Sequence, residues 1–126
     1  MTPSVLIVDD HARFRRTARR ALERDGWTIA GEAEDGAGAL RAARALQPDV
    51  VLLDVGLPGT SGLVVARRLH AGMPELVIVV ISTHDSAEYH ELAVANGAHG
   101  FLPKAELTGA ALDALLQGLG GGAPNR

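Results

Sequence analysis

Five short apolar runs alternate with five segments of helical periodicity along this chain of 126 residues. The runs have the length of strands and are too short to cross a membrane. This repeated alternation predicts one parallel sheet with helices packed on both of its faces. The predicted strands are 4–8, 27–33, 49–53, 76–81 and 100–103.

The apolar content of these runs predicts their order in the sheet. Residues 50–53 and 76–81 are apolar almost throughout, as is typical of central parallel strands that are covered on both faces. Residues 27–33 alternate imperfectly and residues 100–103 are few, so both runs are expected at the edges. A doubly wound α/β domain with strand order 2-1-3-4-5 and right-handed crossovers is therefore predicted.

Apolar residues recur at helical spacing in the first, second, third and fifth helical segments. The first, residues 12–25, has Phe14, Ala18, Ala21 and Leu22 on one face and four arginines, 13, 16, 20 and 24, on another. Asp35-Gly36 begins the second helix. The residues expected to be buried in the second, third and fifth helices are Leu40, Ala43, Leu46, Leu63, Ala66, Leu69, Leu112, Leu115 and Leu116.

Turn and capping residues set the predicted boundaries. Asp85 and Glu88 have the spacing of a capping box for the fourth helix, which ends at Asn96-Gly97. Thr108 is the predicted cap of the fifth helix. Residues 1–117 are expected to form a single domain, and 118–126 have the composition of a Gly-rich tail or linker.

Composition excludes several classes of function. The net charge of −3 argues against direct nucleic-acid binding, which usually needs a basic surface. The absence of cysteine excludes disulfides and thiolate metal sites. With no signal peptide and no membrane-spanning run, a cytoplasmic protein without a membrane partner is expected.

Polar residues stand where four of the apolar runs end: Asp9-Asp10, Asp54, Ser82-Thr83 and Lys104, the only lysine in the chain. Because parallel strands end at a common edge, these side chains are expected to lie together. Crowded carboxylates repel one another unless a cation intervenes, and oxygen ligands suit Mg²⁺. An aspartate can also attack phosphorus, and an ammonium, a hydroxyl or a backbone N–H can hold the transferred charge.

On these motifs the chain resembles the receiver domain of two-component response regulators, over about residues 4–117. The motifs are Asp9-Asp10, Asp54 followed by Leu57-Pro58-Gly59, Ser82 at the end of the fourth run, and Phe101 three residues before Lys104. The resemblance implies a flavodoxin-like (βα)5 fold and a signalling switch rather than an enzyme acting on other molecules.

The resemblance also implies a role for each site residue. Asp54 would accept the phosphoryl group. Asp10 would bind Mg²⁺ directly. Asp9 would bind the ion through a water molecule or share it partly, and the Gly56 carbonyl would be a third protein ligand. Lys104 would pair with the phosphoryl group, with Ser82 and Thr83 beside it. Ser82 and Phe101 would form the conformational switch.

Partners follow from the same resemblance. A histidine kinase would donate the phosphoryl group. The segment from Ser82 to Asp85 is similar to that of the subfamily with a C-terminal helix-turn-helix output domain, so DNA-binding output and transcription regulation are expected. The resemblance also implies a possible homodimer, since this family uses both the fourth-helix face and the first/fifth-helix face for dimers.

The chain departs from the family pattern at several positions. Ala105 stands where many receivers have a proline in a cis peptide, and Pro103 precedes the lysine instead, so no cis bond is expected after Lys104. Thr83 replaces a smaller residue beside Asp54. Gly56 and His84 occupy two positions that tune the lifetime of the phosphoryl group in this family.

Alternative interpretations remain at this stage. A Mg²⁺-dependent phosphatase would also form an aspartyl phosphate, but it usually has a second acid where this chain has Gly56. A receiver-like module that no longer accepts phosphate is the other alternative. A solvated helix start is favoured over a second metal site for His84, Asp85, Glu88, His90 and Glu91, and the arginine face of the first helix can be solvated or dock a partner.

Overall fold

The computed structural model describes residues 3–83 and 87–120, in which strands and helices alternate as the sequence predicts. The elements are β1 Ser4–Val8, α1 Ala12–Arg24, β2 Thr28–Ala33, α2 Gly36–Leu46, β3 Val50–Asp54, α3 Gly62–Gly72, β4 Val77–Ser82, α4 Ala87–Ala95, β5 Gly100–Pro103, a 3-10 turn Lys104–Glu106, and α5 Gly109–Gly120. Of the helices within these ranges, none is long and apolar enough to span a membrane.

The five strands form one parallel sheet in the order β2-β1-β3-β4-β5, which confirms the predicted fold class. All five residues of β3 are buried because this central strand is covered on both faces. The edge strand β2 is only partly covered, as its imperfect alternation indicates. The apolar content of each run therefore predicts its place in the sheet.

Aliphatic side chains build the core on both faces of the sheet, because successive residues of a strand point in opposite directions. Leu6 and Val8 pack in the layer that α2, α3 and α4 cover. Val5 and Ile7 pack in the layer with Leu22 of α1 and residues of α5. Burying each such side chain contributes about 1.5–3 kcal/mol, so the two layers provide most of the stabilisation.

Side-chain caps fix several of the helix starts. Asp35 Oδ1 accepts a hydrogen bond from the Gly38 N–H at 2.7 Å, and Thr108 Oγ1 accepts one from the Ala111 N–H at 2.9 Å. Helix α4 is followed by Gly97, whose φ of +91° suits glycine. These findings confirm the predicted boundaries, whereas the predicted cap at Asp85 lies outside the described residues.

Several details differ from the sequence prediction. Four of the leucines that were expected to be buried are only partly buried: Leu40, Leu63, Leu115 and Leu116. Leu46 was expected to be buried, but it is 45% exposed, because α2 ends there and the residue lies over Gly31 of the edge strand. Helix α5 continues through Gly120, so residues 118–120 are helical although their composition indicates a tail. Glycine weakens a helix by about 1 kcal/mol and does not forbid it.

His99, directly before β5, makes the stability of the fold depend on pH. The Ile78 N–H donates to His99 Nδ1 at 3.0 Å, which requires that this nitrogen is unprotonated. Burial, together with the nearby His70, lowers the pKa of His99 below its ordinary 6.5. The unfolded chain therefore binds the proton more readily, and the stabilising contribution is complete above about pH 6.5 and lost as the pH falls through the folded value.

We expect acidification from about pH 7.5 to about pH 5 to remove about 0.5–1.5 kcal/mol through this hydrogen bond. Urea unfolding followed by the fluorescence of Trp27, the single tryptophan, measures the loss. His99→Asn is the matched control, because its amide oxygen can accept the same bond without titrating. An equal loss of stability in His99→Asn would show that other groups cause the pH dependence.

Candidate functional site

The polar residues at the strand ends meet at the carboxyl edge of the sheet, as predicted. Val8 pairs with Leu53 in the register of β1 and β3, so Asp9 and Asp54 follow at the same level. Ser82 pairs with Pro103, which brings Lys104 to this edge from β5. The topology therefore gathers residues that lie far apart in the sequence.

Three carboxylates form the acidic part of this edge. Asp9, Asp10, His11 and Asp54 each offer one ligand atom, and these four atoms all lie within 4.8 Å of one another. Asp9 and Asp54 are buried, whereas Asp10 is exposed. An oxygen-rich cluster that contains two buried carboxylates fits a hard divalent cation such as Mg²⁺.

Lys104 supplies the positive charge beside these carboxylates. Its Nζ contacts Asp9 Oδ2 and lies 3.4 Å from Asp54 Oδ2. The lysine side chain is only 11% exposed, so water screens these ion pairs weakly. One ammonium thus bridges two of the three acids, and the predicted proximity of Lys104 to the acidic cluster is confirmed.

The surroundings of Asp54 disfavour the charged form of its carboxyl group. Burial raises the pKa of its carboxyl, and the charge of Asp9 adds to the increase. A hydrogen bond from the Gly56 N–H to Oδ1, at 3.1 Å, and the charge of Lys104 oppose it without cancelling it. The ionised form of Asp54 is therefore less favourable in the folded protein than in the unfolded chain, and added positive charge would stabilise it.

Neutralising Asp54 is expected to stabilise the protein when no divalent cation is present. Its raised pKa means that the ionised form disfavours folding at neutral pH, so Asp54→Asn should raise the free energy of unfolding by about 0.5–2 kcal/mol. Asparagine keeps an oxygen for the Gly56 N–H. Urea unfolding in the presence of a chelator measures the effect. Exposed Asp10→Asn is the control, expected to change stability less, and a destabilised Asp54→Asn would contradict the argument.

A cavity of about 450 Å³ opens above Asp54. Its walls come from the loops that follow β1, β3, β4 and β5, and Tyr89 of α4 adds a further side. The lining residues are His11, Asp54, Val55, Gly56, Ser61, Leu63, Ser82, Thr83, Tyr89 and Lys104. The predicted residues Gly56, Ser82 and Thr83 therefore surround the carboxylate, and the space can hold a small anionic group against Lys104.

The predicted switch residues lie in different surroundings. Ser82 is buried at the end of β4 and lines the cavity. Phe101 is also buried but does not line the cavity. The centre of its ring lies 4.3 Å from the centre of the His90 ring on α4. The described residues contain no cis peptide bond, and Lys104 begins a 3-10 turn instead.

The start of helix α1 adds two residues that the strand-end pattern does not predict, the N-cap His11 and Arg15. The His11 N–H donates to Asp9 Oδ1 at 2.8 Å, and His11 Nδ1 lies 3.2 Å from both Asp9 and Asp10. Arg15 bonds the Asp9 carbonyl and the carboxylate of Glu32 on β2. In the sequence, Arg15 stands among the exposed arginines of α1. Its helical position places it on a different face from them, and this is the only sequence signal of a different role.

Glu32 holds Arg15 in place. Although burial would raise the pKa of Glu32, its hydrogen bonds to Arg19 and Arg15 lower the value below the ordinary range. Both arginines contact the carboxylate at 2.9 Å. The backbone that carries the acidic pair is therefore tied to the edge strand through a charged network.

The second candidate metal site, at the start of α4, does not form a ligand cluster in the described residues. Of the residues considered for a second metal site, His84 and Asp85 lie outside the described residues. Glu88, His90 and Glu91 are exposed on α4. Within the described ranges, the only group of at least three potential metal ligands is the one at Asp9, Asp10, His11 and Asp54.

A doubly wound domain with paired acids, a further aspartate and a lysine at its carboxyl edge belongs to the α/β proteins that bind ligands at this edge. Residues 5–116 match the family model of the response regulator receiver domain. The chain belongs to this family, as its motifs indicate, and is thus a receiver domain of two-component signalling.

Individual relatives agree with this assignment. The response regulator GacA of Pseudomonas aeruginosa is 35% identical over 116 residues, which is 91% of this chain and 52% of GacA. A LuxR-family response regulator from Aurantimonas is 32% identical with a TM-score of 0.85, covering 94% of this chain and 87% of that one. The NarL receiver domain of Mycobacterium tuberculosis is 36% identical with a TM-score of 0.80, covering 91% and 97%. The chain spans about half the length of the curated relatives it matches.

Proposed function

We propose that this receiver domain accepts a phosphoryl group on Asp54 and thereby switches between two conformations. The observation that carries the proposal is the position of Lys104, whose ammonium contacts Asp9 and lies 3.4 Å from Asp54 beneath an open cavity. A largely buried lysine shared between a nucleophile and a neighbouring acid is suited to holding added negative charge.

The chemistry needs an attacking carboxylate and a site for the transferred charge. A carboxylate oxygen of Asp54 forms the new P–O bond while the bond from phosphorus to the donor breaks. With a phosphohistidine of a histidine kinase, that bond is P–N, and its electron pair stays on the imidazole. Lys104 pairs with one phosphoryl oxygen, and Ser82 and Thr83 line the side of the cavity where the others would lie.

Asp9, Asp10, Asp54 and the Gly56 carbonyl would hold Mg²⁺ in this proposal. The bound cation would neutralise the acids and a phosphoryl oxygen. Ionised Asp54 is disfavoured by its burial, so added positive charge would keep it in the nucleophilic form. The Gly56 N–H orients the nucleophile through its hydrogen bond to Oδ1.

Phosphorylation would change the surface beside the site. Buried Ser82 would move toward the new charge, and Phe101 would change its packing against His90 of α4. The face formed by α4, β5 and α5 would then differ between the two states. Because relatives of this chain are transcription regulators, we propose that this face controls a DNA-binding output domain or a homodimer, with no direct DNA contact by the receiver.

Incubation with Mg²⁺ and acetyl phosphate tests the proposal. We expect a phosphoryl adduct, detected by intact-protein mass, that is stable in acid and labile in base. Asp54→Asn should remove it completely. Asp49→Asn, at the other end of the same strand, is the matched control and should keep it.

Two other outcomes would contradict the switch. A wild-type protein that stays unmodified with acetyl phosphate and with a phosphorylated histidine kinase would indicate a receiver-like module independent of phosphorylation. Rapid multiple turnover of a phosphomonoester would indicate a phosphatase, although Gly56 offers no acid two residues after the nucleophile.

A further inference from the structure

An aromatic ring lies against the lysine of the site. Lys104 Nζ is 4.6 Å from the centre of the Phe14 ring, in the first turns of α1. A cation within about 6 Å of a ring face is attracted by the quadrupole of the ring. Phe14 is half-buried and packs against the core on its other side, so its ring is held in place.

The ring gives Lys104 a partner of a different kind from the carboxylates. An ammonium has three N–H donors, and its acid partners Asp9 and Asp54 can take two of them. The ring attracts the charge without accepting a conventional hydrogen bond. It therefore holds the ammonium near the acids and leaves its donors available to the phosphoryl group that Asp54 would carry.

Open space beside the ring leaves room for other orientations of the lysine side chain. A second cavity of about 490 Å³ is lined by His11, Phe14, Thr17, Thr83, Lys104 and Ala105. The lysine has a long, flexible stem, so this space offers its ammonium an orientation that points away from Asp54. In the observed orientation the ammonium contacts the Phe14 ring and Asp9 together, and this combination favours the orientation toward the acids.

We propose that Phe14 is a positioning residue that acts through Lys104 and speeds phosphoryl acceptance by a cation–π contact. The kinetic consequence rests on the proposed function, whereas the contact itself does not. The chain has a single lysine and two phenylalanines, Phe14 and Phe101, which makes both groups separately observable.

The test combines isosteric ring changes with a direct view of the lysine. Selective ¹³C,¹⁵N-lysine labelling gives one side-chain spin system, which belongs to Lys104. We expect its Cε protons to be shifted upfield by the ring, and Phe14→Leu to abolish this shift. Incorporation of mono-, di- and trifluorophenylalanine at position 14 weakens the quadrupole with little change in shape. The rate of adduct formation from acetyl phosphate should fall stepwise, by about two- to tenfold in total.

Trifluorophenylalanine at position 101 is the matched control and should leave the Lys104 signals in place. A purely structural role for Phe14 predicts equal rates across the fluorinated series, and that result would overturn the proposal. Lys104 signals that do not move in Phe14→Leu would overturn it as well. If the wild type forms no adduct at all, the proposed function fails, and the NMR series alone then decides whether the ring holds the lysine.

Discussion

Replacing Lys104 with methionine is expected to lower the free energy of unfolding by about 3 kcal/mol. The substitution keeps most of the apolar stem of the side chain but removes the positive charge that contacts Asp9. Asp9 is 0% exposed, so its carboxylate would remain buried beside Asp54 without a counter-charge. Removing one partner of a buried ion pair costs about 3–5 kcal/mol, and the opening of this site to solvent places the effect at the lower end.

Urea unfolding, followed by Trp27 fluorescence in buffer without divalent cations, measures this loss. The variant Asp9→Asn and the double variant complete a thermodynamic cycle. If the lost stability comes from the unpaired carboxylate, Lys104→Met should cost less than about 1 kcal/mol in the Asp9→Asn background. A cost as large as in the wild type would attribute the effect to lost packing of the lysine stem instead.

Magnesium provides an independent check on the same variant. A cation that binds only the folded protein stabilises it in proportion to the logarithm of its concentration above the dissociation constant. We expect Mg²⁺ to recover part of the stability of Lys104→Met, because the remaining acids can share the cation. The acidic edge would then be a site that depends on positive charge for its stability as well as for its proposed chemistry.

The fold is largely predictable because the sequence carries the relevant physical signals directly. A strand covered on both faces must be apolar throughout, which identifies 50–53 as central, and the mixed pattern of 27–33 identifies an edge. Once the strands are parallel, the residues that follow them share one edge. The proximity of Asp9, Asp54 and Lys104 therefore follows from topology, with no need to know side-chain packing.

The parts of the site on α1 could not be predicted in the same way. Whether Phe14 and Arg15 face the site depends on the rotation of α1 about its axis, which the packing of Ala18 and Leu22 against the sheet determines. Phe14 lies on the apolar face of α1, so the sequence predicts only a core residue. Its contact with Lys104 is seen only in the structure. The predicted burial of Leu46 is wrong for a related reason, because periodicity identifies the buried face of a helix but not where the covering sheet ends.

Adding a single methyl group at Gly62 is the second change expected to have a large effect. A Cβ atom at this position would lie 2.1 Å from the Asp54 carbonyl oxygen and 2.8 Å from Val55 Cα. Both atoms are backbone, so no side chain can rotate away. Gly62→Ala should therefore cost about 2–3 kcal/mol of stability, because α3 or the end of β3 must shift.

The same shift should impair phosphoryl acceptance, since the displaced backbone carries Asp54. Misplacing a reacting group by about 1 Å can slow a reaction by about a hundredfold, so we expect at least a tenfold slower formation of the adduct in the folded fraction of Gly62→Ala. Gly72, at the other end of α3, is the matched control, because a Cβ there meets no atom within 4 Å. Gly72→Ala should leave the rate unchanged and stability equal or slightly higher. If both variants react like the wild type, the close approach of α3 does not set the position of Asp54.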